Sequence, residues 1–332
     1  MKFPDLRECG GTRLCAGDSG PCRGRLPHQL RYDEGGFFAR SSHDRRWELH
    51  RTRVRADIQT VLEQSDGDRT GPRIISREDG DVSEAIREIF GKEGIGILFN
   101  AEIERVEKHG EEIVVHMKGE AGQFQVKGSH LLIAVGRRPN LGDLGWGNAG
   151  VEVDDREFIR VDDELRTNVA GIWAMGDCNG RGAFIHIYYN DYEIIAANLF
   201  DGDSRRVSDR IPCYGLFIDP PLGRVGMTEQ EVRASGRPVV VGKMLMKRVG
   251  RTRERSETDG FMKVYVDAET KEILGAVILG IGGDEVIHLL LDVMYARAPY
   301  TVIQRAVHIH LTVAELVPTM LGDFEPLGPE SK

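Results

Sequence analysis

The sequence is short of cysteine, of long apolar runs and of basic charge. Its 332 residues include only five cysteines, an odd number scattered along the chain. Because the first 30 residues also lack a signal-peptide core, this pattern does not indicate a disulfide framework. No apolar run approaches the length of a membrane span, so we expect no membrane partner and a cytoplasmic location. Acidic residues outnumber basic ones by 53 to 44, which argues against nucleic acid as a partner.

Two kinds of sequence follow one another along the chain. Residues 1–70 are rich in Gly, Arg, Pro and charge and have no sustained helical or strand period, which is typical of a disordered or loosely ordered segment. From Gly71 onward the pattern is regular. Apolar residues recur on one helical face over 81–94, and 95–119 alternates like strands that meet at a turn around His109-Gly110. The regular part therefore predicts an α/β protein with a core of its own.

Two apolar runs end at glycine. "SHLLIAVGRRPN" ends at Gly136, and "AGIWAMGDCNG" ends at Gly176 and Asp177, with a helix predicted from about 188 to 200. Buried strands of α/β sheets end in this way beside nucleotide sites. Gly136 leaves room for a nucleotide, and Asp177 can accept a hydrogen bond from a sugar or ribitol hydroxyl. A plain turn and a capping aspartate explain the same residues equally well at this stage.

The five cysteines offer little chemistry by their spacing. Cys9, Cys15 and Cys22 lie in the irregular segment, where nothing around them indicates a folded site. Cys178 and Cys213 are interpreted as small core or loop residues.

The stretch "HIHLTVAE" near the C-terminus has three interpretations. His310 with Glu315 is a candidate acid/base pair, in which a carboxylate orients an imidazole. Thr312 with Glu315 fits a helix capping box, which the spacing alone favours. His308 with His310 is a weak metal pair, because two ligands without a third rarely hold an ion. The region from about Pro212 to the C-terminus alternates strands and helices and predicts an α+β layer.

Together and in this order, "LLIAVGRRPN", "IWAMGDCNG" and "HIHLTVAE" resemble the pyridine nucleotide-disulfide oxidoreductases. The resemblance runs from Gly71 to the C-terminus. It implies an α/β fold with partial FAD- and NAD(P)-binding Rossmann-like domains, followed by an α+β dimerisation domain. The resemblance implies four segments: an unmatched segment at 1–70, the second half of the NAD(P)-binding domain at 71–140, the C-terminal return segment of the FAD-binding domain at 141–208 and the dimerisation domain at 209–332.

The resemblance also implies roles for single residues. Gly176, Asp177 and Ala183 would contact FAD, and Gly136 would face a nucleotide. His310, oriented by Glu315, would be the acid/base that serves the partner subunit's flavin and thiol site. No metal is implied. The expected protein is a homodimeric enzyme that transfers electrons from NAD(P)H through FAD to a disulfide or another acceptor.

Several departures from the family pattern predict impaired activity. Leu311 and Ala314 stand where the family has proline and serine, and no cysteine pair lies at the C-terminus, which argues against mercury reduction. The two GxGxxG loops and the Cys-x4-Cys pair that open the family pattern are missing ahead of Gly71. We hypothesise that residues of about 11–70 are an out-of-frame translation, which the nucleotide sequence tests. The chain is then expected to bind FAD weakly, and an inactive dimerising remnant is the alternative function.

Overall fold

The computed structural model describes residues 73–134, 137–142 and 145–328, together with the backbone of three short strands before residue 64. The predictions for Gly136, for Cys9, Cys15 and Cys22 and for the other residues before 73 lie outside this part of the chain. In chain order the described strands are β1 Thr12–Arg13, β2 Gly36–Arg40, β3 Ile58–Glu63, β4 Gly96–Phe99, β5 Glu102–His109, β6 Glu112–Gly119, β7 Gly122–Gly128, β8 His130–Ala134, β9 Arg137–Arg138, β10 Cys213–Leu216, β11 Leu222–Gly226, β12 Val239–Leu245, β13 Phe261–Asp267, β14 Ile273–Leu279 and β15 Phe324–Pro326. The described α-helices are α1 Gly80–Lys92, α2 Ile185–Ala196, α3 Glu229–Ala234, α4 Gly250–Glu254, α5 Gly283–Tyr295, α6 Thr301–Gln304 and α7 Val317–Met320.

The chain divides into two compact units. One, named here the split unit, contains residues 73–130 and 211–328, and the other, the middle unit, contains residues 131–210. No helix of the described residues is both long and apolar enough to cross a bilayer.

A six-stranded antiparallel sheet forms the centre of the split unit. Its strands lie in the order β10-β11-β14-β13-β12-β15. Every residue of β13 and β14 is buried, because alternate side chains of a strand point to opposite faces and both faces are covered. On one face Val264 and Ile278 pack against Leu290 of α5, and on the other Val277 packs in a cluster with Ile86 of α1. The α+β layer predicted from Pro212 onward is confirmed.

Helix α1 follows from its local sequence. Its buried residues recur three and four positions apart and form one face: Val82, Ser83, Ile86, Ile89 and Phe90. The last helical residue is Lys92, close to the predicted end at Gly91 or Gly94. Asp79 stands at the N-cap, but its side chain makes no capping bond to the helix. That carboxylate is instead directed to buried cations of the six-stranded sheet.

The hairpin predicted around His109-Gly110 is also confirmed. Strands β5 and β6 pair antiparallel with His109 opposite Glu112, and β7 extends them to a three-stranded sheet. Ahead of this sheet, β4 pairs in parallel with β3. A parallel pair beside a helix is the arrangement of α/β proteins.

In the middle unit, the prediction of a strand before Gly176 is wrong. Among the described residues, the backbone pairing of this run is a single bridge between Arg166 and Trp173. An apolar run becomes a strand only when neighbouring strands supply a ladder of hydrogen bonds. In the described part of the chain this run has a single bridge instead of a ladder. The helix that follows begins at Ile185, three residues earlier than predicted, and runs on into a π-helical turn at Ala197–Asp201. Cys178 is buried and Cys213 half-buried, in keeping with their predicted packing role.

One stretch of the middle unit has the GxGxxG spacing without its structure. Gly145 and Gly150 flank a short 3-10 helix, Trp146–Ala149. The flanking glycines have φ of +63° and +72°, and the chain then enters an isolated bridge at Val153. A dinucleotide loop has a strand before it and a long helix after it. The spacing here is therefore that of a glycine-capped turn.

Candidate functional site

A histidine and a glutamate are joined near the C-terminal end of the split unit. His310 lies in the loop after α6, and Glu315 is the third residue of a 3-10 helix, Val313–Leu316. Nδ1 of His310 lies 2.9 Å from a carboxylate oxygen of Glu315. The histidine side chain is 79% exposed and the glutamate side chain 15%. A sheltered carboxylate thus orients an exposed imidazole through Nδ1, and Nε2 is the ring atom placed to exchange a proton with a ligand. Leu311, in place of the family's proline, does not separate the pair.

The capping box predicted for Thr312 and Glu315 is wrong. No side-chain bond caps the Val313–Leu316 helix, and the Thr312 hydroxyl donates to the carbonyl oxygen of Ile309 at 2.8 Å. The physical reason is competition for Glu315. A capping box needs the glutamate to turn back to the N-cap backbone, whereas this carboxylate is bonded to His310.

The metal interpretation of the two histidines gains no support. Nδ1 of His308 lies 2.9 Å from the carbonyl oxygen of Ala314, so that ring is tied to the backbone. In the part of the chain that the structure describes, three metal-ligating side chains come together only at Asp79, Asp81 and Glu229.

A second candidate site is the 3-10 turn Gly176–Asn179 of the middle unit. Gly176 has a φ of +81°, a conformation that glycine adopts without strain. The fully buried carboxylate of Asp191 accepts hydrogen bonds from the Gly176 amide at 3.0 Å and from the Asn179 side-chain amide at 2.9 Å. Arg210 donates to the other carboxylate oxygen at 2.5 Å. A buried ion pair therefore fixes this turn from the inside.

Tyr188 of α2 covers the same turn from another side. Its hydroxyl donates to Oδ1 of Asp177. A Cβ placed on Gly176 would lie 3.4–3.9 Å from three atoms of the Tyr188 ring, so the tyrosine fills the space beside this glycine. A flavin that approached Gly176 and shared Asp177 would meet the ring and its hydroxyl. In the described arrangement, FAD can therefore reach this turn only if the Tyr188 side chain moves away. Ala183, the third predicted contact, is half-buried in the loop before α2.

The predicted residues fall into two separate groups. His310 and Glu315 belong to the split unit and are bonded to each other. Gly176, Asp177 and Ala183 belong to the middle unit, where the first two lie under Tyr188. Sequence reasoning missed both Tyr188 and Asp191. The sequence does contain one indication that these two residues act together. They are three positions apart, and residues at this spacing share one face of a helix.

A buried charge network in the split unit was also missed. Arg224 of β11 is 1% exposed. Its guanidinium lies 3.1 Å from Glu78 through Nε and 3.0 Å from Asp79 through Nη2. Lys263 of β13 is 3.0 Å from Asp79 and 2.6 Å from Asp81. The sequence does indicate such a network, because β11 and β13 are apolar strands that each contain one cation. A buried charge requires a partner of opposite charge.

The network shifts the titration of its members. Burial alone raises the pKa of Asp79, but Arg224 and Lys263 outweigh burial and lower that pKa to about 2. Burial alone lowers the pKa of Arg224, but Glu78 and Asp79 outweigh it and hold that pKa above its usual range. Lys263 also lies 3.7 Å from Glu229. The Asp79, Asp81 and Glu229 carboxylates thus already surround an ammonium group, which explains their proximity without a metal.

Comparison with protein families identifies the class. The family model of the pyridine nucleotide-disulphide oxidoreductases matches residues 69–193. The family model of the dimerisation domain of the same enzymes matches residues 213–321. Together they span more than half of the 332 residues. The chain belongs to the pyridine nucleotide-disulphide oxidoreductase family, whose cofactors are FAD and NAD(P)H. The resemblance and the fold class predicted from the sequence are confirmed.

Individual relatives share the matched region. The probable pyridine nucleotide-disulfide oxidoreductase RclA of Escherichia coli is 37% identical over 243 residues, which are 73% of this chain and 54% of RclA. Mercuric reductase of Streptomyces lividans is 31% identical over 73% of this chain and 51% of its own length. The chain spans about half the length of the curated relatives it matches.

A solved structure supports the same relationship. The HOCl-induced flavoprotein disulfide reductase RclA from Escherichia coli superimposes with a TM-score of 0.82 and 28% identity, covering 95% of this chain and 72% of that one. LpdA from Mycobacterium tuberculosis, at 19% identity and a TM-score of 0.74, shares the fold.

Proposed function

We propose that the split unit supplies the proton donor and acceptor of a homodimeric, cytoplasmic, FAD-dependent NAD(P)H oxidoreductase that reduces a disulfide or another acceptor. His310 is the proton carrier and Glu315 its positioning residue. The single observation that carries the proposal is the 2.9 Å contact between Nδ1 of the exposed ring and the sheltered carboxylate. A carboxylate on Nδ1 fixes the tautomer and stabilises the imidazolium that forms when Nε2 takes up a proton.

The surroundings of His310 support a site that a second subunit completes. Val307 is 98% exposed and Ile309 77% exposed, and they alternate with His308 and His310 along the loop. Exposed apolar residues that flank polar ones are typical of a surface that another protein covers. The match to a dimerisation domain over residues 213–321 supports a second copy of this chain as that protein.

We further propose that flavin-dependent turnover of the chain is impaired. The observation that supports this is Tyr188, whose ring and hydroxyl lie over the turn that the family resemblance assigns to FAD. We also propose that the chain divides into the four segments that the family resemblance implies, 1–70, 71–140, 141–208 and 209–332.

The test of His310 uses NAD(P)H oxidation by purified protein supplied with FAD and a disulfide acceptor. We expect His310→Gln to lower kcat by roughly 10²- to 10⁴-fold, the usual contribution of a positioned acid/base. Glu315→Gln should lower kcat with KM unchanged, because the carboxylate that orients the ring through Nδ1 is gone. His308→Gln is the matched control and should retain activity, since His308 contacts a backbone carbonyl. Equal losses in the His308 and His310 variants would contradict the assignment.

The second candidate function is a dimerising remnant without catalysis. The Tyr188 contact with Asp177 is the observation that favours it. A protein that sediments as a dimer, lacks flavin absorbance and oxidises no NAD(P)H in the presence of FAD would establish this function. Flavin absorbance with turnover would exclude it.

A further inference from the structure

Two side chains on one face of α2 hold the turn Gly176–Asn179 from different sides. Tyr188 and Asp191 are three positions apart, which places them on the same face of the helix. The Asp191 carboxylate is bonded to the Gly176 amide and to Asn179, and the Tyr188 ring and hydroxyl cover Gly176 and Asp177. The turn and the helix are thus fastened together at two points.

We propose that Tyr188 is a specificity-determining residue that occupies the ligand position at Asp177. The ligand class is a polyhydroxylated chain or sugar that carries a flat ring system, as in a flavin. Its hydroxyl would donate to the carboxylate oxygen that the tyrosine hydroxyl now occupies, so the two donors compete. This inference rests on the proposed function, because the impaired turnover proposed above is attributed in part to the same turn, and it names the residue and the two contacts that would cause the impairment.

The competition is strong because the tyrosine is fixed in place. Tyr188 lies in the first turn of α2, where its amide donates to the carbonyl oxygen of Phe184 at 3.2 Å. The next turn of the helix is anchored by the fully buried Asp191, bonded to Arg210 at 2.5 Å. Since the helix cannot retreat without breaking this buried pair, a ligand must rotate the Tyr188 side chain away. Doing so removes a hydrogen bond to a charged acceptor, which weakens ligand binding by roughly ten- to a hundredfold.

The ring also matters independently of the hydroxyl. The ideal Cβ position at Gly176 lies 3.4 Å from Cδ1 and 3.5 Å from Cγ of Tyr188, which is van der Waals contact. A ligand atom that approached Gly176 from this side would have no room beyond the position of a Cβ, even if the hydroxyl were absent. Two substitutions therefore separate the two effects: Tyr188→Phe removes the hydroxyl alone, and Tyr188→Ala removes both.

The test measures binding of FAD and of riboflavin to the full chain by quenching of flavin fluorescence and by equilibrium dialysis. We expect the dissociation constant to fall in the order wild type, Tyr188→Phe, Tyr188→Ala, with a total gain of roughly ten- to a hundredfold. Tyr189→Ala is the matched control, because this neighbouring tyrosine on the same helix is 64% exposed and should leave binding unchanged. Adding Asp177→Asn to Tyr188→Ala should abolish the gain.

Folding is monitored beside binding so that each result is interpretable. Circular dichroism and thermal melting of each variant establish that α2 is intact, and Tyr188→Phe keeps the ring packed against the turn. A gain in both variants, or in Tyr188→Ala alone, supports the proposal, and the second pattern assigns the block to the ring. Folded Tyr188 variants that bind FAD and riboflavin no more tightly than Tyr189→Ala would overturn it. These measurements read flavin affinity, whereas the His310 test compares kcat between variants supplied with the same FAD, so a failure of one is distinguishable from a failure of the other.

Discussion

The guanidinium of Arg224 and the carboxylate of Glu78 meet at 3.1 Å, measured from Nε, although 146 positions separate the two residues in sequence. Their side chains are 1% and 0% exposed. The contact joins the segment before α1 to β11 of the six-stranded sheet. Neither charge is exposed to solvent, so each depends on the other, and Arg224 pairs with Asp79 as well.

Replacing Arg224 with methionine is expected to destabilise the split unit strongly. The substitution leaves Glu78 and Asp79 buried without their main cation, which costs about 3–5 kcal/mol for comparable buried pairs. Urea unfolding followed by circular dichroism measures the change. Arg87→Met is the control, because Arg87 pairs with Glu84 on the surface and its loss should cost less than about 1 kcal/mol. Similar losses for both arginines would refute a special role for the buried network.

Acid is expected to weaken the same network in a defined range of pH. Asp79 has a pKa of about 2 in the folded chain against an ordinary value of 3.8. A lowered folded-state pKa stabilises the fold above pH 4, and that stabilisation is lost as the pH falls from about 4 to about 2. The loss amounts to roughly 2 kcal/mol. Urea midpoints measured across this range should fall in the wild type and change less in Asp79→Asn. Parallel pH profiles would show that other groups control acid unfolding.

Two glycines are expected to respond to alanine in opposite directions. A Cβ at Gly223 would lie 2.5 Å from the carbonyl oxygen of Gly283 and 2.7 Å from a methyl carbon of Ile287. Because a backbone oxygen at the start of α5 cannot swing aside, Gly223→Ala should cost about 1–3 kcal/mol or more. Gly91 in α1 has no atom within 4 Å of its Cβ position, so Gly91→Ala should stabilise by roughly 0.5–1 kcal/mol. Thermal melting measures both, and a stabilising Gly223→Ala would contradict the close packing of α5 on β11.

Charge on the exposed loop beside His310 is expected to separate the subunits of a dimer. Val307→Asp combined with Ile309→Asp places two carboxylates where a partner would cover apolar side chains, which disfavours association. Sedimentation velocity should show a shift from dimer to monomer. Ile185→Asp is the control, since Ile185 is 79% exposed and lies in the middle unit. A dimer that survives the double substitution would place the interface elsewhere, and a wild-type monomer would contradict the proposed homodimer.

Local periodicity was sufficient to predict α1, the β5–β6 hairpin and the alternation of strands and helices after Pro212. In each case the information lies within a few consecutive residues, because side chains three, four or two positions apart share one face. The family motifs added the pairing of His310 with Glu315, which the spacing alone would have assigned to a helix cap.

Contacts between distant residues were not predictable in the same way. The run before Gly176 has the composition of a strand, yet composition does not reveal whether neighbouring strands pair with it. Arg224 and Lys263 are visible as cations inside apolar strands, but their partners lie in the segment before α1 and in its first turn, which no local pattern links to them. Tyr188 reads as one of several aromatic residues of α2, and only the fold places its hydroxyl on Asp177.

The buried network sets an order of events for a chain leaving the ribosome. Asp79 emerges early, but the hydroxyl of Tyr265 that bonds to it lies 186 residues later. Until β11 and β13 have been synthesised, the acidic end of α1 has no cations to dock against, and the part of its apolar face that packs on the six-stranded sheet stays uncovered. Synthesis of the whole middle unit falls within this interval. The ion pairs of α1 therefore form only when the last third of the polypeptide is being made, which places this docking among the late steps of folding.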